Sequence, residues 1–170
     1  MYLTSGPTAL RRLSPDDLRA FQAYRNDPAV ALYQSWDEMD DDRALGFLEH
    51  MAGMTPLFQP DQWAQIGVAD AANRRLIGDM GIHLSADATE VELGITLAAH
   101  AQGRGHGLRA TQLACAYVFA QTTAAQIKVW ADIRNAASRA LAERAGFTFT
   151  GIEVNDGVTE AAFAKQRPNP

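Results

Sequence analysis

The chain has 170 residues, with 15 basic against 20 acidic side chains, a formal net charge of −5, and 47% hydrophobic residues against 21% charged ones. That length favours one domain spanning residues 1–170, with enough apolar material for a core, which excludes global disorder. The acidic balance argues against a nucleic-acid surface. The lone Cys115 excludes a disulfide framework and a cysteine-rich metal site. None of His50, His83, His100 and His106 pairs at helical metal spacing, so no metal is expected.

Met1 to Leu13 lacks the basic and apolar regions of a signal peptide. The longest uncharged stretch, Ala110 to Ile127, carries Thr111, Gln112, Gln121, Thr122, Thr123 and Gln126, too polar for a lipid-exposed span. A cytoplasmic protein without membrane attachment is the expectation.

In chain order, a first strand is predicted over Ala9–Leu13. A helix follows, with Ser14 as cap, Pro15 in the first turn, Asp16 and Asp17 at its positive end, and its stop near Asn26-Asp27-Pro28. The acidic run Asp37–Asp42 opens a second helix with an apolar stripe of Ala44, Leu45, Leu48 and Met51. Strands are predicted over Trp63–Ala69, Leu76–His83 and Val91–Leu97, and their short connections imply antiparallel pairing. The character then changes. A helix over Gly105–Ala120, a strand over Ile127–Ala131, a helix over Asn135–Ala145 and strands over Phe147–Val154 and Val158–Lys165 make a βαβαβ run with a parallel crossover.

The chemistry is concentrated where Leu97 leads into Gln102-Gly103-Arg104-Gly105-His106-Gly107 and a helix opens at once. Glycines at alternate positions allow unusual φ and close backbone approach, and the first helical turn offers free N–H groups to an anion such as a pyrophosphate. A glycine-rich turn without a ligand is the plain alternative. The P-loop needs Gly-Lys-Ser/Thr and the dinucleotide fingerprint needs G-x-G-x-x-G; neither occurs here.

This segment resembles the acetyl-CoA loop, Q/R-x-x-G-x-G/A, of the GNAT family of N-acetyltransferases. Asn135-Ala-Ala-Ser138 with Glu143-Arg-Ala-Gly146-Phe147 is similar to that family's N-x-x-S/A…E-x-x-G-F segment, and Glu92-Leu-Gly-Ile95 to its E-I-G-Y strand. The opening Leu10-Arg-Arg-Leu-Ser-Pro-Asp-Asp17 with Asn26-Asp-Pro-Ala-Val30 resembles the RimJ/RimL-like, ribosomal-protein N-terminal acetyltransferase branch.

The resemblance implies an α/β fold: a mixed, twisted sheet of about six to seven strands flanked by about four helices and split between two parallel strands. It implies acetyl-CoA in that split as co-substrate, with its pyrophosphate on Gln102, Gly103, Arg104, Gly105, His106 and Gly107. Of His106, only the backbone N–H need matter. The pantetheine arm would pair with the strand around Gly94 to Leu97, at Ile95 and Leu97, and Asn135 would contact the arm. The family often forms homodimers.

Acetyl transfer needs a neutral amine, and only about 1 in 2,500 lysine side chains is neutral at pH 7, against roughly a tenth of α-amines. Strand alternation puts Glu90, Glu92, Gly94 and Thr96 on one face and Val91, Leu93, Ile95 and Leu97 on the other. Glu92 is the candidate base, a role the resemblance also gives it; the plain alternative is a solvated carboxylate, as Glu90 is expected to be. His83 is a weaker substitute.

The family's usual tyrosine acid is replaced by Ala142, which leaves Ser138, one turn after Asn135, as the candidate thiolate acid, against a plain helix-surface serine. Cys115 reads as core. Tyr33 and Trp36 either wall the acceptor pocket or pack the loop. The function read from the sequence is acetyl transfer to a protein N-terminus or small amine. The rivals are a non-catalytic acyl-CoA-binding module of the same fold and a generic nucleotide-binding domain.

Overall fold

A computed structural model describes residues 1–34 and 36–168. Eight strands form one sheet: β1 (Tyr2–Ser5), β2 (Thr8–Arg12), β3 (Gln62–Asp70), β4 (Leu76–Leu84), β5 (Glu90–Leu97), β6 (Gln126–Asp132), β7 (Thr148–Asn155) and β8 (Val158–Gln166). Their spatial order is β1-β2-β3-β4-β5-β6-β8-β7. The helices are α1 (Leu18–Arg25), α2 (Pro28–Ala31), α3 (Asp41–Gly53), α4 (His106–Gln121) and α5 (Ala136–Arg144). This is the mixed α/β architecture expected from the sequence, with β1 and the short α2 added. Neither has a legible pattern: β1 is four residues of alternating exposure, and α2 is a single turn.

β1 to β5 form the antiparallel meander. β5, α4 and β6 then make a crossover between the one directly paired set of parallel strands among the described residues. The βαβαβ pattern does not continue as a parallel sheet. β8 turns back from β7 and inserts between β6 and β7, antiparallel to both.

Local chemistry explains the helix starts. Ser14 and Asp17 form a reciprocal capping box over a short 3-10 turn, from which α1 departs. Asp40 caps α3 by accepting from the Arg43 N–H, with Asp41 and Asp42 in its first turn, so the acidic run is a helix opening. Asn135 caps α5 in the same way. The core has two parts. Phe21, Tyr24, Leu48 and Met51 of α1 and α3 form one cluster, while Ala110, Ala114, Cys115 and Val118 of α4 pack with Ile82, Val91, Ile127 and Phe163 in the other. β4 lies between helices and is buried along nearly its whole length. Burial pushes the Cys115 thiol up to about 11, as expected for a packing residue. No helix among the described residues is long and apolar enough to cross a membrane.

β4 and β5 approach closely at Gly78, where a Cβ would lie 2.2 Å from the Thr96 carbonyl oxygen. Gly78→Ala is expected to destabilise the protein by about 1–3 kcal/mol through overpacking. A urea midpoint unchanged from the parent would show that the two strands separate there at no cost.

Candidate functional site

β5 and β6 stay paired over only three positions, Glu90↔Gln126, Val91↔Ile127 and Glu92↔Lys128. Each strand keeps its outer partner well beyond that point, β5 with β4 up to Leu97 and β6 with β8 up to Asp132. The sheet therefore forks after Glu92. A cleft of about 830 Å³ opens there, with Glu92 to Thr96 on one side and Val129 to Asp132 on the other. The inner edges of the fork carry backbone N–H and C=O groups with no strand opposite, which an amide-bearing ligand can satisfy. Gly81 and Gly94 face each other across β4 and β5 and both line the cleft. A Cβ at Gly94 would meet nothing within 4 Å, so the missing side chain leaves room rather than avoiding a clash.

One wall is a buried polar network. The Arg25 guanidinium donates to both oxygens of Asp79, from Nε at 3.2 Å and from Nη2 at 3.1 Å. Asp79 also accepts from the Tyr24 hydroxyl and from Gln65 Nε2. Arg25 is 7% exposed and Asp79 1%. Burial, with the Asp79 carboxylate next to it, pushes the Tyr24 hydroxyl well above its ordinary range, so it stays a proton donor to Asp79. The guanidinium lies 4.2 Å from the Trp36 ring centroid and 4.5 Å from that of Phe21. Trp36, Phe47, Trp63 and Tyr33 complete this side, so Tyr33 and Trp36 do line the pocket.

Glu92 stands at the fork itself, opposite His83 on β4 and Lys128 on β6. Burial raises its carboxyl above the usual glutamate range, and the nearby His83 only partly offsets this. It lines both the main cleft and a recess of about 100 Å³ shared with His83, Ser85 and Lys128. Glu90, which lines the same recess, is tied down in an ion pair with Lys128 at 2.6 Å, which together with Gln126 holds its carboxyl below the usual range.

The other wall comes from α4 and α5. Asn135 Oδ1 accepts from the Ser138 N–H at 3.0 Å, which commits that oxygen to the helix cap and leaves its Nδ2 donors for a ligand. Ser138, Leu141 and Ala142 follow along the same helix, and Thr111 of α4 joins them. Ile95 lines the cleft, whereas Leu97 packs against the core and its carbonyl accepts from Gln102 Nε2 at 3.0 Å.

The loop from Gln102 to Gly105 is exposed, with Gly103 at φ +71° and Gly105 at φ +80°, the left-handed conformations that glycine accepts without strain. Arg109 donates to the Arg104 carbonyl at 3.3 Å, so two guanidinium groups belong to this loop region. His106 has more than a backbone role. Its buried Nδ1 lies 2.9 Å from Thr8 Oγ1, fixing the start of α4 to β2, and burial lowers its pKa so that it stays neutral.

The Arg25–Asp79–Tyr24–Gln65 network, Trp63 and Thr111 were not identified from the sequence. Asp79 did carry a signal, as the lone acid of Leu76-Ile-Gly-Asp-Met-Gly-Ile82, a strand with no polar face. Thr111 carried none. Among the described residues no group of three or more histidine, cysteine or acidic side chains is placed to hold a metal ion.

The sequence matches the family described as "Acetyltransferase (GNAT) domain" over residues 8–148. Solved structures similar in fold include the following three. A GNAT-family acetyltransferase from Bacillus anthracis has 17% identity and a TM-score of 0.83, with 98% of each chain covered. A Vibrio cholerae protein assigned as a ribosomal-protein-serine acetyltransferase has 18% identity and a TM-score of 0.80, again with 98% of each chain covered. A spermidine N-acetyltransferase from Vibrio cholerae, in complex with CoA and spermine, has 19% identity and a TM-score of 0.79, covering 95% of this chain and 96% of the other. No curated protein matches the chain in sequence.

The buried wall makes its own prediction. Arg25→Met leaves the Asp79 carboxylate without its cation and should cost about 3–5 kcal/mol, while the double change Arg25→Met with Asp79→Asn should recover part of that loss. Denaturant unfolding of the three proteins measures both, and a single variant as stable as the parent would show that Tyr24 and Gln65 suffice for Asp79.

Proposed function

The chain belongs to the GNAT acetyltransferase family, and from that premise we propose that it moves the acetyl group of acetyl-CoA directly to a primary amine, a protein N-terminus or a small amine, with both substrates bound together. The observation that carries this reading is the fork at Glu92, which sets a half-buried carboxylate where a cleft crosses the sheet.

The residues present fit acetyl-CoA. The left-handed glycines of the 102–107 loop let backbone N–H groups approach a pyrophosphate, and Arg104 and Arg109 add positive charge. The open edge of β5 from Leu93 onward, Ile95 included, suits the amides of the pantetheine arm, and Asn135 Nδ2 can add a donor. Bound acetyl-CoA supplies an activated thioester carbonyl and a thiolate leaving group. Glu92 takes the proton of the attacking amine, and the recess it shares with His83 gives that proton a way out. Protonation of the departing sulfur falls to Ser138 in this reading, supported by its place in the cleft lining where Ala142 offers no donor. A thiol pKa of about 8.5 also allows solvent to do so.

The cleft charge supports an acceptor that arrives as a cation. Arg25 is neutralised by Asp79, and Arg134 by Asp132, whose carboxyl it holds down at about 2. Glu92, Asp156 and Glu160 remain among the lining residues, which also include Trp36 and Trp63. The opening segment Leu10–Asp17 with Asn26–Val30, together with the fold shared with the ribosomal-protein-serine acetyltransferase, supports the RimJ/RimL-like branch and hence a protein N-terminus as acceptor. The departure at Ala142 is what favours the rival reading, a non-catalytic acyl-CoA-binding module. Release of free thiol with a panel of amines, alongside intact-mass detection of acetylated products, separates the two.

Gly105→Glu places bulk and negative charge on the loop, so acetyl-CoA should no longer raise Tm while the apo protein stays folded. An undiminished rise would remove the loop from the binding site. Glu92→Gln should lower kcat by about 10²–10⁴-fold with acetyl-CoA still bound. Because the folded pKa of Glu92 is raised, its ionisation costs stability as pH climbs through that value. The glutamine protein should therefore melt no lower than the parent at neutral pH, and its rate should lose the acid limb set by Glu92. Superimposable pH–rate profiles would eliminate Glu92 as the base.

A further inference from the structure

Thr111 Oγ1 is the one buried side-chain polar atom among the described residues that has no hydrogen-bond partner. The residue is 5% exposed, sits in the second turn of α4, and lines the cleft on the wall that α4 and α5 share. A hydroxyl in a helix often satisfies itself on a carbonyl one turn back, but that bond is not made here. Orphaned buried hydroxyls are rare because desolvation without a partner is costly, and each calls for a physical reason. The neighbouring positions show what alanine would do instead, since Ala110 and Ala114 pack fully buried on the same helix.

The surroundings of Thr111 indicate the reason. The helix bearing it follows directly on the 102–107 loop, and across the cleft the edge of β5 beyond Glu92 has no strand partner. A ligand threading the fork passes between these unpaired backbone groups and Thr111. Rotation about a single bond exchanges the threonine methyl and hydroxyl, so the oxygen can turn to a ligand without moving the helix. On the same wall Asn135 Oδ1 already accepts from the Ser138 N–H, so that oxygen is committed to the helix cap.

We infer that Thr111 is a ligand-binding residue whose hydroxyl hydrogen-bonds the amide-bearing arm of acetyl-CoA where it crosses the fork. The inference rests on the acetyl-CoA reading of the cleft and adds to it a contact deep on α4, away from the pyrophosphate loop.

The test uses Thr111→Val, which keeps the shape and removes the hydroxyl, and Thr111→Ser, which keeps the hydroxyl. Calorimetric titration is run with acetyl-CoA and with adenosine 3′,5′-bisphosphate, which lacks the arm. The valine protein should bind acetyl-CoA about three- to tenfold more weakly, the worth of one hydrogen bond. It should bind the bisphosphate like the parent, and the serine protein should recover acetyl-CoA affinity. The apo valine protein should also melt as high as the parent or higher, because an unpartnered buried hydroxyl has been removed. A purely structural role would lower it. Equal acetyl-CoA affinity in the valine protein, or equal weakening for both ligands, overturns the assignment of Thr111 while leaving the cleft reading intact. A parent that binds neither acetyl-CoA nor the bisphosphate overturns both.

Discussion

The site depends on a conflict of pairing. β5 is bound along its length to β4, and β6 along its length to β8, so the two central strands follow different neighbours and share only three positions. A sheet cannot leave inner edges unsatisfied in its middle without water or a ligand there, since each free N–H or C=O would otherwise cost a hydrogen bond. The fork turns what would be an aggregation-prone edge into an internal binding surface, covered by α4 and α5. Every functional residue proposed here takes its place from this geometry: Glu92 at the last paired position, Asn135 and Ser138 on the helix after β6, and Thr111 on the helix that joins the two strands.

Around the fork the protein separates charges that must be neutral from charges that must be available. Arg25 and Asp79 are almost fully buried and complete each other, with Tyr24 and Gln65 supplying further donors. Arg134 and Asp132 do the same at the rim. Glu90 is taken by Lys128. Glu92, two residues on, has no such ion pair among the described residues and is left partly desolvated, which raises its proton affinity. Two carboxylates on one strand face thus differ in chemistry because one meets a lysine and the other meets the cleft.

Much of this was legible beforehand for identifiable reasons. The helix openings at Ser14, Asp40 and Asn135 are local side-chain-to-backbone bonds, so neighbouring residues encode them. The antiparallel meander followed from short turns between alternating strands. The glycine loop was visible because left-handed φ selects residue type directly, and Gly103 and Gly105 adopt it. The short β1 and α2 are not legible in the sequence because elements of four residues carry too little periodicity to stand out from a loop. The insertion of β8 between β6 and β7 is not legible there because a strand's sequence does not state its neighbour.

The sequence by itself determined the local conformations, the apolar faces and the motif residues of the family, because these are set within a few positions along the chain. It also placed Glu92 on a polar strand face, two positions from Glu90. Only the tertiary structure supplied the ion-pair partner of Glu90, since Lys128 lies 38 positions beyond it and reaches it through the parallel pairing. Only the tertiary structure gave His106 its partner in Thr8, joined Arg25 to Asp79, and left Thr111 without a partner. Those outcomes depend on which distant groups arrive at 3 Å, and that is fixed by how the sheet forks and not by any segment read alone.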